Sequence, residues 1–237
     1  MNFNDIELEN VRDRELYLSS AFPTLMRKVY VWMTLALALT GLTAYGVANT
    51  PGLQYTLFTG ITPLVIFGVE IALVIGLSAA INRLSLTMAT LMFVVYSVVN
   101  GLVFSAIFLA YTTASIINVF FITAGTFAVM ALVGYTTKTD LTSLGKILFM
   151  ALVGLIIATI VNIFMKSTGL TLILNYVGVL IFVGLTAYDS QKIKQMLMQT
   201  ADTGETAQKI ALLGALSLYL DFINLFIYLL RILGDRK

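Results

Sequence analysis

Long stretches without any charged side chain dominate the chain. Residues 29–69 form one run of 41 residues, and residues 84–137 form another of 54 residues. A helix needs about 20 consecutive apolar residues to cross the hydrocarbon core of a membrane. Each run is therefore too long for one membrane-spanning helix, and the pattern predicts several spans joined by short turns.

Short polar and turn-forming segments divide the chain into seven predicted spans. Asn-Thr-Pro-Gly at 49–52, then Gly60 with Pro63, interrupt the first run, and Tyr-Thr-Thr at 111–113 interrupts the second. Polar loops at 136–146 and 199–208 separate the later spans. The predicted spans are residues 28–48, 61–83, 86–109, 116–135, 146–165, 171–197 and 209–233.

The beginning of the chain is polar, with acidic residues ahead of basic ones. A secretory signal peptide would instead begin with basic residues followed by a short apolar run. We therefore interpret residues 1–24 as a retained, polar N-terminal tail in the cytoplasm. Residues 25–237 form the seven-helix transmembrane domain.

The composition excludes an ordinary soluble protein. Apolar residues make up 59% of the chain and charged residues 11%, whereas soluble domains carry about 25% charged residues. The mean hydropathy is +0.95. This chain has too little polar surface to cover a globule in water, so the sequence predicts an all-α integral membrane protein.

The distribution of Lys and Arg between loops predicts the orientation. With the N-terminus in the cytoplasm, ten of the fourteen basic residues fall in cytoplasmic segments. Arg231, Arg236 and Lys237 fall on the other side and fit this orientation less well. An alternative with six spans and a re-entrant last segment would place both ends in the cytoplasm.

Two residue types are absent, and their absence excludes several kinds of chemistry. The chain has no Cys and no His, which removes disulfides, thiol nucleophiles, His/Cys zinc sites and a Ser-His-Asp mechanism. Any response to pH must therefore come from a carboxylate. The net charge of +2 indicates no nucleic-acid partner.

Three acids lie inside the apolar spans: Glu70, Asp189 and Asp221. A charged side chain at mid-membrane costs several kcal/mol, so such residues usually have a function. Glu70 also fits a simpler interpretation, as an acid near a helix end that reaches the headgroups. Asp221 fits that interpretation less well, because eleven uncharged residues precede it and nine follow it.

Helix geometry predicts which of these groups meet. At 1.5 Å per residue, Asp189 lies about 12 Å from the cytoplasmic end of its span and Asp221 about 18 Å deep on the next, antiparallel span. Arg83 lies at the cytoplasmic end of the second span, from where its long side chain can reach inward. Two close carboxylates in a low-dielectric site share a proton. We hypothesise that Asp189, Asp221 and Arg83 form a cluster that responds to pH.

Uncharged polar residues within the spans have a simpler expected role. Asn100, Asn162, Asn175 and Asn224 lie in apolar surroundings. Amide side chains in membranes commonly form hydrogen bonds between helices. We expect these four residues to do the same.

Two motifs are distinctive. Residues 185–194 read LTAYDSQKIK, and residues 214–226 read GALSLYLDFINLF, followed by LRILG at 230–234. Together they resemble the transmembrane Bax inhibitor motif family in its bacterial branch. The resemblance spans residues 25–234 and also includes segments 30–45, 70–83 and 135–146.

The resemblance implies a bacterial inner-membrane protein with seven helices, in which six helices wrap a central, apolar last helix. It implies a pH-sensitive calcium leak, with Asp189 and Asp221 as the pH sensor. It also implies that Arg83 is a latch to this sensor and that Glu70 lies on the ion path. No enzymatic activity and no cofactor are expected.

Calcium also fits the residue types, because it is a hard cation that takes oxygen ligands. Asp189 and Asp221 are the candidate calcium ligands, and the expected partners are the lipid bilayer, Ca²⁺ and H⁺. Three acids do not make a selective site, so protons and monovalent cations stay open as the transported ion.

Other functions stay open beside the leak. One is a proton-coupled transporter that uses the same aspartates. Another is a regulator that binds a membrane protein such as a protease or a cell-death factor. An intramembrane aspartyl protease is disfavoured, because Asp221 follows Leu218-Tyr219-Leu220 where that class has a Gly-x-Gly pattern.

Overall fold

The computed structural model is all-helical. It describes the backbone of residues 3–200 and 204–237 and the side chains of residues 21–200 and 204–237. Within this part of the chain, extended pairing is limited to one bridge between Tyr111 and Arg236. The helices are α1 (Phe3–Ala48), α2 (Pro51–Phe58), α3 (Thr62–Ala80), α4 (Leu86–Ala110), α5 (Thr113–Thr136), α6 (Thr142–Met165), α7 (Thr168–Gln199) and α8 (Glu205–Leu233).

The seven predicted spans are confirmed. Among the described residues, every helix except α2 is long and apolar enough to cross a membrane. Helix α2 was not predicted, because the turn signals at 49–52 and 60–63 were interpreted as one loop. Pro51 at its first position and a length of only 8 residues fit a short helix between two spans, since proline is favoured at a helix start.

The first helix begins much earlier than predicted. The sequence predicted a helix from residue 28, whereas α1 starts at Phe3 and its apolar span at Ala21. The predicted boundary between tail and membrane domain at residue 24 therefore falls within one continuous helix. Glu, Arg and Leu, which are common in this region, are good helix formers despite their polarity or charge. The side chains of the predicted tail up to residue 20 lie outside the described part.

Hydroxyl side chains cap the N-terminal ends of three later helices and thereby determine where these helices begin. Ser85, Thr112 and Ser167 each accept a hydrogen bond from a backbone N–H of the first turn of α4, α5 and α7. Such caps satisfy backbone donors that have no partner within the helix. Helices α5 and α7 consequently begin three residues before the predicted starts at 116 and 171.

The last helix, α8, is the centre of the bundle, as the resemblance implied. Helices α1, α4, α5 and α7 pack directly against it, and Tyr219 in its middle is fully buried. The expectation that all six other spans wrap α8 needs correction, because α3 packs mainly against α4 and α6 mainly against α7. Helix α6 is thus held at the outside of the bundle.

Contacts at both ends of α8 show that it crosses the whole bundle. At its start, the Glu205 carboxylate accepts a hydrogen bond from the Leu86 N–H, 3.0 Å away, at the start of α4. Beyond its end, the Thr112 N–H donates to the Asp235 carbonyl, 3.1 Å away, at the other end of α4. The re-entrant alternative is therefore wrong. Lys28 contacts Gln208, so α1 enters on the side where α8 starts.

Close helix packing depends on individual glycines. Gly134 on α5 lies directly against the backbone of Ala187 on α7, and a Cβ atom at Gly134 would overlap the Ala187 carbonyl oxygen. Gly125, also on α5, is exposed and has open space around it. The two glycines provide a matched comparison on one helix.

We expect Gly134→Ala to destabilise the protein by about 1–3 kcal/mol, because overpacking forces α5 away from α7. Gly125→Ala should leave stability unchanged or raise it by up to about 1 kcal/mol through better helix propensity. Thermal unfolding in detergent would compare the two variants with the wild type. Equal stability of the two variants would contradict the inferred contact.

Candidate functional site

A polar stripe runs along the central helix. Ser217, Asp221, Asn224 and Tyr228 follow one another at spacings of four, three and four residues. This period places their side chains on one face of α8. Most other positions of α8 are apolar and buried, so the stripe stands out against its own helix.

The stripe lines a cavity of about 870 Å³ between α6, α7 and α8. Helix α7 contributes Tyr188, Asp189 and Lys192, and α6 contributes Lys146 among mainly apolar side chains. The space exists because α6 packs against α7 and leaves this face of α8 uncovered. The structure therefore brings both predicted aspartates to one cavity.

Asp221 is the most constrained residue of this cavity. Only 5% of its surface is exposed, and its Oδ2 atom has no hydrogen-bond partner among the described residues. A buried polar atom without a partner carries a large desolvation cost. A proton, a cation or water from the cavity must therefore satisfy this oxygen.

Asp189 shares the cavity but has different neighbours. It is half-buried, and its carboxylate interacts electrostatically with Asp221 and with Lys192 one turn further along α7. For Asp221, Asp189 is the charged neighbour with a resolved effect within the described part of the chain. The two carboxylates of the pair therefore differ in their charged neighbours.

A second cavity of about 220 Å³ lies on the other side of Asp189. Ser78 of α3, Met196 of α7 and Ile210 of α8 line it, and Asp189 and Ser217 border both cavities. Met196 and Ile210 lie near the α7–α8 turn, whereas the larger cavity extends along α8 to Tyr228. The two spaces lie along most of the length of α8, with Asp189 between them.

The rest of the α7 motif fixes the position of Asp189. Ser190 donates a hydrogen bond to the Ala131 carbonyl on α5, 2.8 Å away, and its Oγ lies 3.3 Å from the Tyr30 hydroxyl on α1. Lys194 donates to the Tyr135 carbonyl at 2.8 Å. These contacts join α7 to α5 and α1 on the face away from the cavity.

Gln191 holds the turn between α5 and α6. Its side chain accepts a hydrogen bond from the Leu141 N–H and donates one to the Thr139 carbonyl, both at 2.8 Å. Gln191 is buried, so it replaces water as the partner of these two backbone groups. Through this turn, α7 also determines where α6 begins.

Arg83 and Glu70 do not join the aspartates. Arg83 is exposed in the turn after α3, and its side chain makes no hydrogen bond or ion pair with any described residue. Glu70 is half-buried on α3 and interacts electrostatically with Tyr96 and Tyr219. The predicted latch is thus not formed in this structure, and both assignments stay predictions.

A second polar cluster lies on the opposite face of α8. The Tyr219 hydroxyl is 2.7 Å from the Thr40 hydroxyl, which donates to the Ser97 carbonyl at 2.9 Å. Asn100 donates to the Tyr96 hydroxyl at 3.3 Å, and its Oδ1 has no partner among the described residues. This cluster joins α1, α4 and α8.

The expected interhelical hydrogen bonds of the asparagines are confirmed only in part. Asn162 on α6 donates to Thr171 on α7, and Asn175 is buried in α7. Asn100 and Asn224 instead bond within their own helices. The stripe has a signal in the sequence, because Ser217, Asp221, Asn224 and Tyr228 recur at helical spacing.

Comparison with known proteins identifies the family. The family model described as "Inhibitor of apoptosis-promoting Bax1" matches residues 23–237. The chain belongs to the Bax inhibitor family. It is 49% identical over 217 residues to the inner membrane protein YbhL of Escherichia coli K12, covering 90% of this chain and 92% of that protein.

Other relatives match a similar share of the chain at somewhat lower identity. An uncharacterized protein of Borreliella burgdorferi is 40% identical over 225 residues, covering 94% of this chain and 96% of that protein. The uncharacterized protein RP147 of Rickettsia prowazekii is 41% identical over 213 residues, covering 90% and 89%. With its seven apolar helices, the chain is a bacterial multi-pass membrane protein, and the resemblance stated from the two motifs is confirmed.

The hydrogen bonds of Gln191 generate a prediction about the start of α6. Gln191→Leu leaves the Leu141 N–H and the Thr139 carbonyl unpaired, at a cost of about 1–3 kcal/mol. We expect amide hydrogen exchange at residues 139–141 to accelerate at least about tenfold in nanodiscs, because 1.4 kcal/mol corresponds to that factor.

Gln195→Leu is the matched control, because Gln195 lies one turn further on α7 and is exposed. The same exchange rate at residues 139–141 in both variants would contradict the proposed restraint. Exchange elsewhere in α7 should stay unchanged in both.

Proposed function

We propose that this Bax inhibitor family protein is a pH-sensitive, calcium-permeable leak in the bacterial inner membrane. One observation supports this proposal above the others: the buried Asp221 side chain, whose Oδ2 atom has no hydrogen-bond partner among the described residues, lines a cavity that Asp189 shares. A cavity of about 870 Å³ has room for a hydrated cation beside these groups. Calcium is the transported ion in this proposal and not a resident cofactor.

The ligand types favour a hard cation. The stripe offers carboxylate, amide and hydroxyl oxygens, which are the ligands that Ca²⁺ prefers. The cavities contain neither Cys nor His, since the chain has none. A softer transition metal would therefore gain little from this site.

The pH response comes from the two carboxylates. Because Asp189 and Asp221 interact, they titrate as a pair and not independently. The other titratable groups that face the larger cavity are Lys146 from α6, Tyr188 and Lys192 from α7, and Tyr228 from α8. Protonation of the pair changes the net charge of the cavity and thereby the attraction of the cavity for a divalent cation.

Arg83 and Glu70 keep their family roles as part of this proposal. Ser78, on the last turns of α3, borders the smaller cavity together with Asp189. The end of α3 therefore borders the same small cavity as Asp189, and in this proposal Arg83, in the turn that follows, is the group that binds the sensor. Glu70, the acid of α3, would add a further carboxylate to the path.

The test is calcium flux into proteoliposomes that contain the purified protein, measured from pH 5 to 8. Asp189→Asn and Asp221→Asn should each abolish the pH dependence or displace it by about one pH unit or more, because interacting sites couple by that amount. Asp140→Asn is the matched control. Hydrogen bonds from the Thr142 side chain and backbone lower the pKa of Asp140, so it stays ionised across this range.

The outcomes separate the remaining functions. Flux with an unchanged pH dependence in both aspartate variants would refute the carboxylate sensor. Absence of flux at every pH would refute the leak and favour a regulator that binds another membrane protein, to be sought by co-purification. Saturable uptake of a small solute driven by a proton gradient would favour a proton-coupled transporter.

We also propose that the N-terminus is cytoplasmic, since this orientation puts most basic residues inside. The α5–α6 turn then faces the cytoplasm and the α6–α7 turn the periplasm. Alkaline phosphatase, which is active only outside the cytoplasm, should be inactive when fused after Thr139 and active when fused after Ser167. The reverse pattern would show that the orientation is inverted.

A further inference from the structure

Asn224 lines the same cavity as Asp221. Its side-chain nitrogen donates a hydrogen bond to the Leu220 carbonyl, 2.8 Å away. This bond restrains rotation of the amide, because one of its two N–H donors is held by the helix backbone. The carbonyl oxygen of the amide is left as an acceptor beside the cavity that Asn224 lines.

Asp221 and Asn224 are placed to act on one cation together. Residues three apart on a helix have their Cβ atoms about 5–6 Å apart, and Ca²⁺ binds oxygen at about 2.3–2.6 Å. A single ion can therefore contact both side chains from the cavity. Ser217, one turn before Asp221, adds a hydroxyl on the same face.

The charges around the cavity locate the ion on α8 and not on α7. Lys192 interacts with Asp189 and reduces the attraction of that carboxylate for a cation. Among the described residues, Asp221 forms no ion pair with a cation, and its Oδ2 lacks a hydrogen-bond partner. The Asp221 carboxyl group and the Asn224 amide oxygen thus occur on adjacent turns of one helix.

We propose that Asn224 is a calcium ligand that, with Asp221 and Ser217, selects Ca²⁺ over monovalent cations. This inference rests on the proposed leak for its physiological meaning, but the binding site itself does not require flux. A fixed amide and a carboxylate replace part of the hydration shell of a divalent ion. A monovalent cation gains less from the same ligands, because its charge is lower.

The experiment combines two measurements on full-length protein. Ca²⁺ binding to purified protein in nanodiscs is measured by isothermal titration calorimetry with the metal alone. The Ca²⁺ to K⁺ permeability ratio is measured from reversal potentials in planar bilayers. The variants are Asn224→Leu, Asn224→Gln and Asn224→Asp, with Asn162→Leu as the control because Asn162 lies on α6 and bonds Thr171 away from the cavity.

We expect Asn224→Leu to weaken Ca²⁺ binding and lower the permeability ratio at least about tenfold, since removal of even an outer-shell partner of a metal costs about 10–100-fold. Asn224→Asp should tighten binding by adding a charged ligand. Asn224→Gln keeps a carbonyl oxygen and should retain part of both properties. Asn162→Leu should leave both unchanged.

The two readouts separate the inference from the proposed function. If the wild type binds Ca²⁺ and the Asn224 variants change the affinity for Ca²⁺, the proposed binding site is supported even when neither the wild type nor any variant conducts. If the wild type conducts but neither Asn224→Leu nor Asn224→Asp changes binding or the permeability ratio, Asn224 is not a ligand. Wild-type protein that binds no Ca²⁺ would also overturn the site. Should Asn224→Leu fail to fold, the Asp and Gln variants decide.

Discussion

The burial of the Asp221 carboxylate on the most enclosed helix of the bundle shapes the surrounding structure. A carboxylate with an unpaired oxygen cannot be covered by apolar side chains without a large desolvation cost. Helix α6 packs against α7 and leaves the polar face of α8 facing an open cavity. The arrangement of the outer helices thus leaves the face of α8 that carries this acid beside a cavity and not beneath packed apolar side chains.

Helix α7 makes this arrangement possible because one of its faces packs against other helices and the other borders the cavities. On one face, Ser190 and Gln191 form hydrogen bonds that hold α5 and the α5–α6 turn. On the other face, Asp189 borders both cavities. Close packing reinforces the first face, since Gly134 allows the α5 backbone to touch that of α7. A motif that contains one candidate functional acid therefore consists mainly of residues that position it.

The sequence predicted the number of spans and the shared location of Asp189 and Asp221, because hydropathy and helical rise determine span length and depth. It did not predict α2 or the early start of α1, since both depend on local helix propensity in segments that seemed to be turns or tail. The exposed position of Arg83 also could not be predicted, because charge alone does not reveal which neighbour a long side chain contacts. Asn224 was assigned an interhelical bond, but its nearest acceptor is a carbonyl of its own helix.

The hydroxyl pair of Tyr219 and Thr40 restricts how α8 can move. Tyr219 and Asp221 are two residues apart, which separates them by about 200° around the helix axis. Any axial rotation that carried Asp221 out of the cavity would pull Tyr219 from Thr40 and expose the edge of the buried aromatic cluster. These contacts therefore restrain the central helix against rotation about its own axis. A change of charge at Asp221 must be accommodated by displacement of the helices that border its cavity, and α6, held mainly by α7, is the one with the fewest restraints.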